Sequence, residues 1–130
     1  MRIQKPLKVF TLTYHARTNS ISPHVAYLNP EHILQDMYQI IGCKCVTVTE
    51  IEVNGKYYDV WSDDEALLVE NPVPNLYIND DLVIFGNLLI TNTNEDGETV
   101  GLDDGEPQLL YDFALAQFPK LLKWLKNLRR

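Results

Sequence analysis

Residues 81–104, DLVIFGNLLITNTNEDGETVGLDD, limit what this chain can fold into more than any other stretch. An apolar run rich in branched side chains meets a cluster of turn formers, then polar residues and a second acidic turn. Branched and bulky side chains fit a pleated, half-buried surface, so residues 81–93 are predicted to form a central strand, bulged near Gly86. Residues 94–97 turn the chain and 98–102 return as a short strand. A sheet must be built around this segment.

The remaining pattern supplies partners for it. Residues 7–14, LKVFTLTY, alternate as a strand, whereas 15–29 hold Asn19, Ser20, Ser22, Pro23 and His24 and read as a loop with a short extended piece at 25–28. Pro30 suits the first turn of a helix over 30–41, with Asn29 as its N-cap and Ile33, Leu34, Met37, Ile40 and Ile41 on its buried face. Gly42 stands where a helix-terminating glycine belongs. Asn54-Gly55 between 43–53 and 56–61 is a strong hairpin signal. Residues 66–68 read as a brief edge strand. From Pro107 onward the chain reads as one helix broken at Pro119, or as two in sequence. The expectation is a single α+β domain over residues 1–130, a mostly antiparallel sheet with one helix in the N-terminal half and C-terminal helices packed on it.

Charge and cysteine usage narrow the function classes. The 130 residues carry 11 basic and 18 acidic side chains, a net charge of -7. Residues 118–130, FPKLLKWLKNLRR, are basic without an acid, which leaves the preceding residues strongly acidic. An acidic body repels phosphate, so a general nucleic-acid binder is not expected. There is no apolar run of transmembrane length and no secretory h-region, which predicts a cytoplasmic protein. Cys43 and Cys45 read as reduced thiols, and His15, His24 and His32 lack zinc-ligand spacing, so neither metal nor cofactor is expected.

Asn92, Asn94, Asp96, Gly97, Glu98 and Asp103 occupy the first, third, fifth, sixth, seventh and twelfth positions of an EF-hand-like loop. The first is Asn, the twelfth is not Glu, and a strand precedes the loop, so a plain hairpin is the better account. The acidic groups at 63–65, 80–81 and 103–106 lack a nucleophile, a phosphate loop or a paired histidine, and read as solvated turns. No enzyme is expected.

The C-terminal helix is the best-defined interaction candidate. Phe118, Leu121, Leu122, Leu125 and Leu128 share one face, the opposite face is basic, and Trp124 sits at the boundary. Lys120, Lys123, Trp124, Lys126 and Arg130 are the candidate partner-binding residues, for a protein partner. Tyr57, Tyr58 and Trp61, near Tyr14, His15 and Arg17, are candidate ligand-binding residues.

The order GCKCVTVTEIEV, YYDVWSDDEALL, PVPN and DLVIFGNLLITNTNEDGETVGLDD resembles the bacterial and phage proteins grouped as domain of unknown function 3846. The resemblance rests on Gly42, Asp63-Asp64-Glu65, Pro74-Asn75, Phe85-Gly86 and Leu102-Asp103-Asp104. It covers 30–112 and leaves the N-terminal loop and the cationic tail unmatched. It implies a small cytosolic protein often encoded on mobile or phage-derived DNA, and names no catalytic residue. The leading expectation is a non-enzymatic interaction or regulatory module. The alternative is a small-ligand or metal-binding module using the aromatic strand face or the loop from Asn92 to Asp103.

Overall fold

The computed structural model describes residues 5–15, 17–18, 20–69, 72–79 and 82–128, with the backbone alone at 128. Within them the chain forms β1 (Leu7–His15), β2 (Ser20–Leu28), α1 (Ile33–Ile41), β3 (Val46–Val53), β4 (Lys56–Asp63), a 3-10 turn (Ala66–Leu68), β5 (Pro74–Asn79), β6 (Leu82–Phe85), β7 (Leu88–Thr93), β8 (Thr99–Val100) and α2 (Glu106–Leu128). The main sheet runs β2-β1-β7-β4-β3, with β8 added to β7, and β5-β6 form a second sheet. Every recorded pairing is antiparallel, so the α+β expectation holds.

The apolar run dictates this order because β7 is buried on both faces. Leu88 and Ile90 join Phe10, Leu12, Tyr58, Val60, Leu76, Ile84 and Leu110 in the larger core, on the side covered by β5-β6 and α2. Leu89 joins Val9, Leu28, Met37 and Ile41 in a smaller core under α1. A strand covered on both sides reads as continuous apolar sequence rather than as alternation. Among the polar side chains on β4 and β7, Trp61 Nε1 donates to Thr91 Oγ1 at 2.9 Å, whereas Asn92 Oδ1 is buried without a hydrogen-bond partner.

The predicted central strand over 81–93 is two strands. The chain leaves the small sheet at Phe85 and enters the main sheet at Leu88, and Gly86, with φ +78°, sits at the crossing. Asn87 then ties three elements together. Its Oδ1 accepts from the Tyr14 N–H at 2.7 Å and its Nδ2 donates to the Ile41 carbonyl at the end of α1 at 3.1 Å. What reads as a bulge is a change of sheet.

Other boundaries shift for local reasons. The predicted loop over 15–29 is largely strand β2, registered residue for residue on β1, with Pro23 tolerated because β2 is a sheet edge. α1 starts at Ile33 rather than at Pro30. Asn29 Oδ1 accepts from the Glu31 N–H, and the Asn29 carbonyl accepts from the His32 N–H, so a turn replaces the first helical turn. Asp36 reaches back to the Asn29 N–H and to His32 Nδ1. Gly42 closes the helix in the left-handed conformation, as expected. The Asn54-Gly55 hairpin is present with both residues at positive φ, although β3 begins only at Val46 and β4 extends to Asp63. Residues 66–68 are a 3-10 turn, not a strand, and the return strand over 98–102 contracts to Thr99–Val100. Cys43 and Cys45 precede β3 as free thiols.

The C-terminal segment is one continuous helix, neither broken nor doubled, and Pro119 lies inside it. Proline there removes the N–H that would bond to the Leu115 carbonyl. Both residues are exposed, so water takes the vacant acceptor.

Candidate interaction face of the C-terminal helix

α2 begins at a buried polar junction. Glu106, at 9% exposure, receives four donors: Lys56 Nζ at 2.7 Å and the Tyr58 hydroxyl at 2.5 Å on Oε2, then Asn92 Nδ2 and the Asp103 N–H, both at 2.7 Å, on Oε1. The last bond is the backward half of a capping box, with Asp103 three residues ahead of Glu106. Burial is the largest single influence on this carboxyl and pushes its pKa up. The hydrogen bonds from Lys56, Tyr58, the Asp103 N–H and Asn92 together outweigh it and hold the group at about 2, against an ordinary 4.5. Burial and the bond to Glu106 drive the Tyr58 hydroxyl upward. A carboxylate so fully engaged is poorly placed to move protons, and its effect is to anchor the helix.

From that anchor the helix lies on the sheet by one side. Leu110 and Leu121 are buried, and Trp124 packs edge-on against Phe85 of β6 with ring centroids 6.1 Å apart. The tail is therefore docked at both halves. The apolar side nevertheless wraps further than the sheet covers, leaving Leu115, Phe118 and Leu122 at 55%, 47% and 45% exposure. Their spacing of three and four residues puts them in one stripe. Lys120, Lys123 and Lys126 are also exposed. Trp124 is half-buried on Phe85 rather than presented outward, and Arg130 lies outside the described residues.

The aromatic trio does not assemble. Strand alternation sends Tyr58 into the larger core at 2% exposure, whereas Trp61 packs against the cluster under α1 and Tyr57 is 59% exposed. Tyr14 bonds to Asn87 at the start of β7, the far end of the sheet from Tyr57. The Asn92 to Asp103 segment is likewise divided. Asn94 Oδ1 accepts from the N–H groups of Asp96 and Glu98, closing a hairpin turn, while Asn92 turns inward to Glu106 and the Gly101 carbonyl. Its oxygen ligands do not converge, and among the described residues no group of three or more His, Cys, Asp or Glu side chains is arranged to hold a metal.

The Glu106 junction escaped sequence reasoning because its members come from β4, β7 and α2. Its signals were an asparagine inside the apolar run of β7 and the Asp103–Glu106 capping spacing.

A family model described as domain of unknown function (DUF3846) matches residues 13–113. The chain belongs to this family. The DUF3846 match starts in β1, so it adds residues 13–29 to the stretch covered by the resemblance, and it includes Lys56, Tyr58, Asn92 and Glu106. It ends before Leu115, so the exposed side of α2 lies beyond it. No curated protein and no solved structure matches the chain. Among the described residues no helix is long and apolar enough to cross a membrane.

Proposed function

We propose that this DUF3846 protein is a non-enzymatic interaction module that holds a protein partner on the outer side of α2. The observation that carries the reading is the stripe of Leu115, Phe118 and Leu122, exposed on a helix whose other side is already anchored. Exposed apolar side chains clustered on one surface are the usual material of a docking patch. Lys120, Lys123 and Lys126 add positive charge to a chain that is otherwise acidic, which favours a partner segment with acidic and apolar residues. On this reading the protein works in the cytoplasm and its gene belongs to mobile or phage-derived DNA, as its composition and the family resemblance suggest.

The test is affinity capture from lysate of the source cell with three full-length forms: the natural chain, Leu115→Ser with Leu122→Ser, and Lys120→Glu with Lys123→Glu and Lys126→Glu. Truncating the tail would strip Leu121 and Trp124 from the core, so substitutions at exposed positions are the cleaner probe. The expected result is one protein enriched by the natural chain, lost with the serine form, and weakened by the glutamate form and by added salt. The same proteins captured by all three forms would end the proposal.

A further inference from the structure

We infer that β3 is the contact edge of a symmetric dimer, in which it pairs antiparallel with β3 of a second copy of this chain. β3 ends the main sheet, and among the described residues no strand pairs with its outer side. The Asp64 N–H donates to the Cys45 carbonyl at 3.1 Å, one step beyond the Val46–Asp63 pair. Odd-numbered residues therefore turn their backbone groups toward β4, and alternation points those of Val46, Val48, Glu50 and Glu52 outward. Sheet edges are commonly blunted by proline, bulges or lysine. β2, at the opposite edge, carries Pro23, whereas β3 has neither proline nor lysine and keeps an unshifted register on β4.

Side chains select the register. Even-numbered residues of β3 share one face of the sheet, where Val48 is 49% exposed beside Trp61, its cross-strand neighbour on β4. A two-fold axis at Val48 sets this side chain against Val48 of the second copy. Trp61, Val48 and their two counterparts then form one apolar row across the dimer. The same register sets Lys44 opposite Glu52 and diagonal to Glu50 of the second copy, within reach of both. Lys44, Glu50 and Glu52 are exposed, and none forms an ion pair within the described residues. Neighbouring registers are poorer. An axis at Thr49 leaves Lys44 opposite the uncharged Asn54, and an axis at Glu50 sets glutamate against glutamate. An axis at Thr47 pairs little of β3 with itself. The contact is isologous, so it uses the same edge on both copies and stops at two. It uses none of Leu115, Phe118 or Leu122 of α2, so it can fail without the partner reading failing, and the reverse.

The experiment is sedimentation velocity of the full chain over a dilution series, with the natural chain, Val48→Lys, Lys44→Glu and Glu52→Lys. The natural chain is expected to pass from one copy to two as concentration rises and to stop there. Val48→Lys sets like charges at the axis and should stay monomeric throughout. Its melting curve should match that of the dilute natural chain, because the position is exposed. Lys44→Glu and Glu52→Lys each set like charges opposite one another, so each alone should also lose the dimer. Mixed in equal amounts the two should associate, since every lysine at these positions then meets a glutamate. A natural chain that is monomeric at every concentration or grows past two copies would overturn the inference. So would a dimer that survives Val48→Lys, or charge variants that associate no better mixed than alone.

Discussion

Glu106 illustrates how one side chain sets the response of the protein to acid. Its carboxyl is held at about 2 in the folded chain against an ordinary 4.5. A group whose pKa is depressed by folding contributes stability that is complete above the ordinary value and is lost as pH falls toward the folded one. Urea midpoints are therefore expected to decline between about pH 5 and pH 2, and Glu106→Gln should flatten that decline. At neutral pH the same substitution should lower the unfolding free energy by about 1–3 kcal/mol, because donors placed for a carboxylate then meet an amide. An unchanged acid limb in the variant would assign the pH response to other carboxylates. Gly101 makes a steric demand instead. A Cβ there would sit 2.9 Å from the backbone nitrogen of Lys8, and Leu102 donates to the Lys8 carbonyl at 2.8 Å. Gly101→Ala should push this crossing apart and lower the melting temperature.

At the scale of elements, the two clearest predictions concern a turn and a helix. Asn54 and Gly55 have φ of 53° and 81°, and a branched residue at the second position meets the steric penalty of the left-handed region. Gly55→Val is expected to destabilise the fold by about 1–2 kcal/mol in chemical denaturation. Pro119 is the opposite case. It is exposed and interior to α2, so Pro119→Ala restores a helical hydrogen bond and should raise stability by up to about 3 kcal/mol. A fall in melting temperature instead would mean that the seating of Trp124 on Phe85 depends on the shape proline gives the helix. Legibility also divides by element. The Asn54-Gly55 hairpin, the Gly42 stop and strand β1 were readable because each is written in neighbouring residues. β2 was not, since Ser20, Ser22, Pro23 and His24 are poor strand formers, and it is pairing with β1 that makes them a strand. The change of sheet at Gly86-Asn87 was hidden for the same kind of reason. A continuous apolar run does not record which neighbour each half will pair with.

For the whole molecule, the sheet buried on both faces sets where resistance to unfolding is concentrated. β7 is paired on both edges and covered on both sides, so the amides of Leu89 and Ile90 are expected to exchange with solvent only through global unfolding. Those of β2 and β3, at the sheet edges, should exchange sooner, and a hydrogen-exchange series read by NMR checks the ranking. The class of fold was legible because apolar periodicity and turn chemistry agree along most of the chain. The buried junction at Glu106 was not, because three distant segments meet there only after folding.

The two ends of α2 are fixed by Glu106 and by Trp124, while Leu115, Phe118 and Leu122 take little part in holding the helix down. Under the proposed function, the two sides of this one helix answer to different demands: a substitution on the inner side must still let the chain fold, and one on the outer side must still suit what the chain meets. One partner could then be exchanged for another by altering three or four outer residues, with the scaffold beneath unchanged.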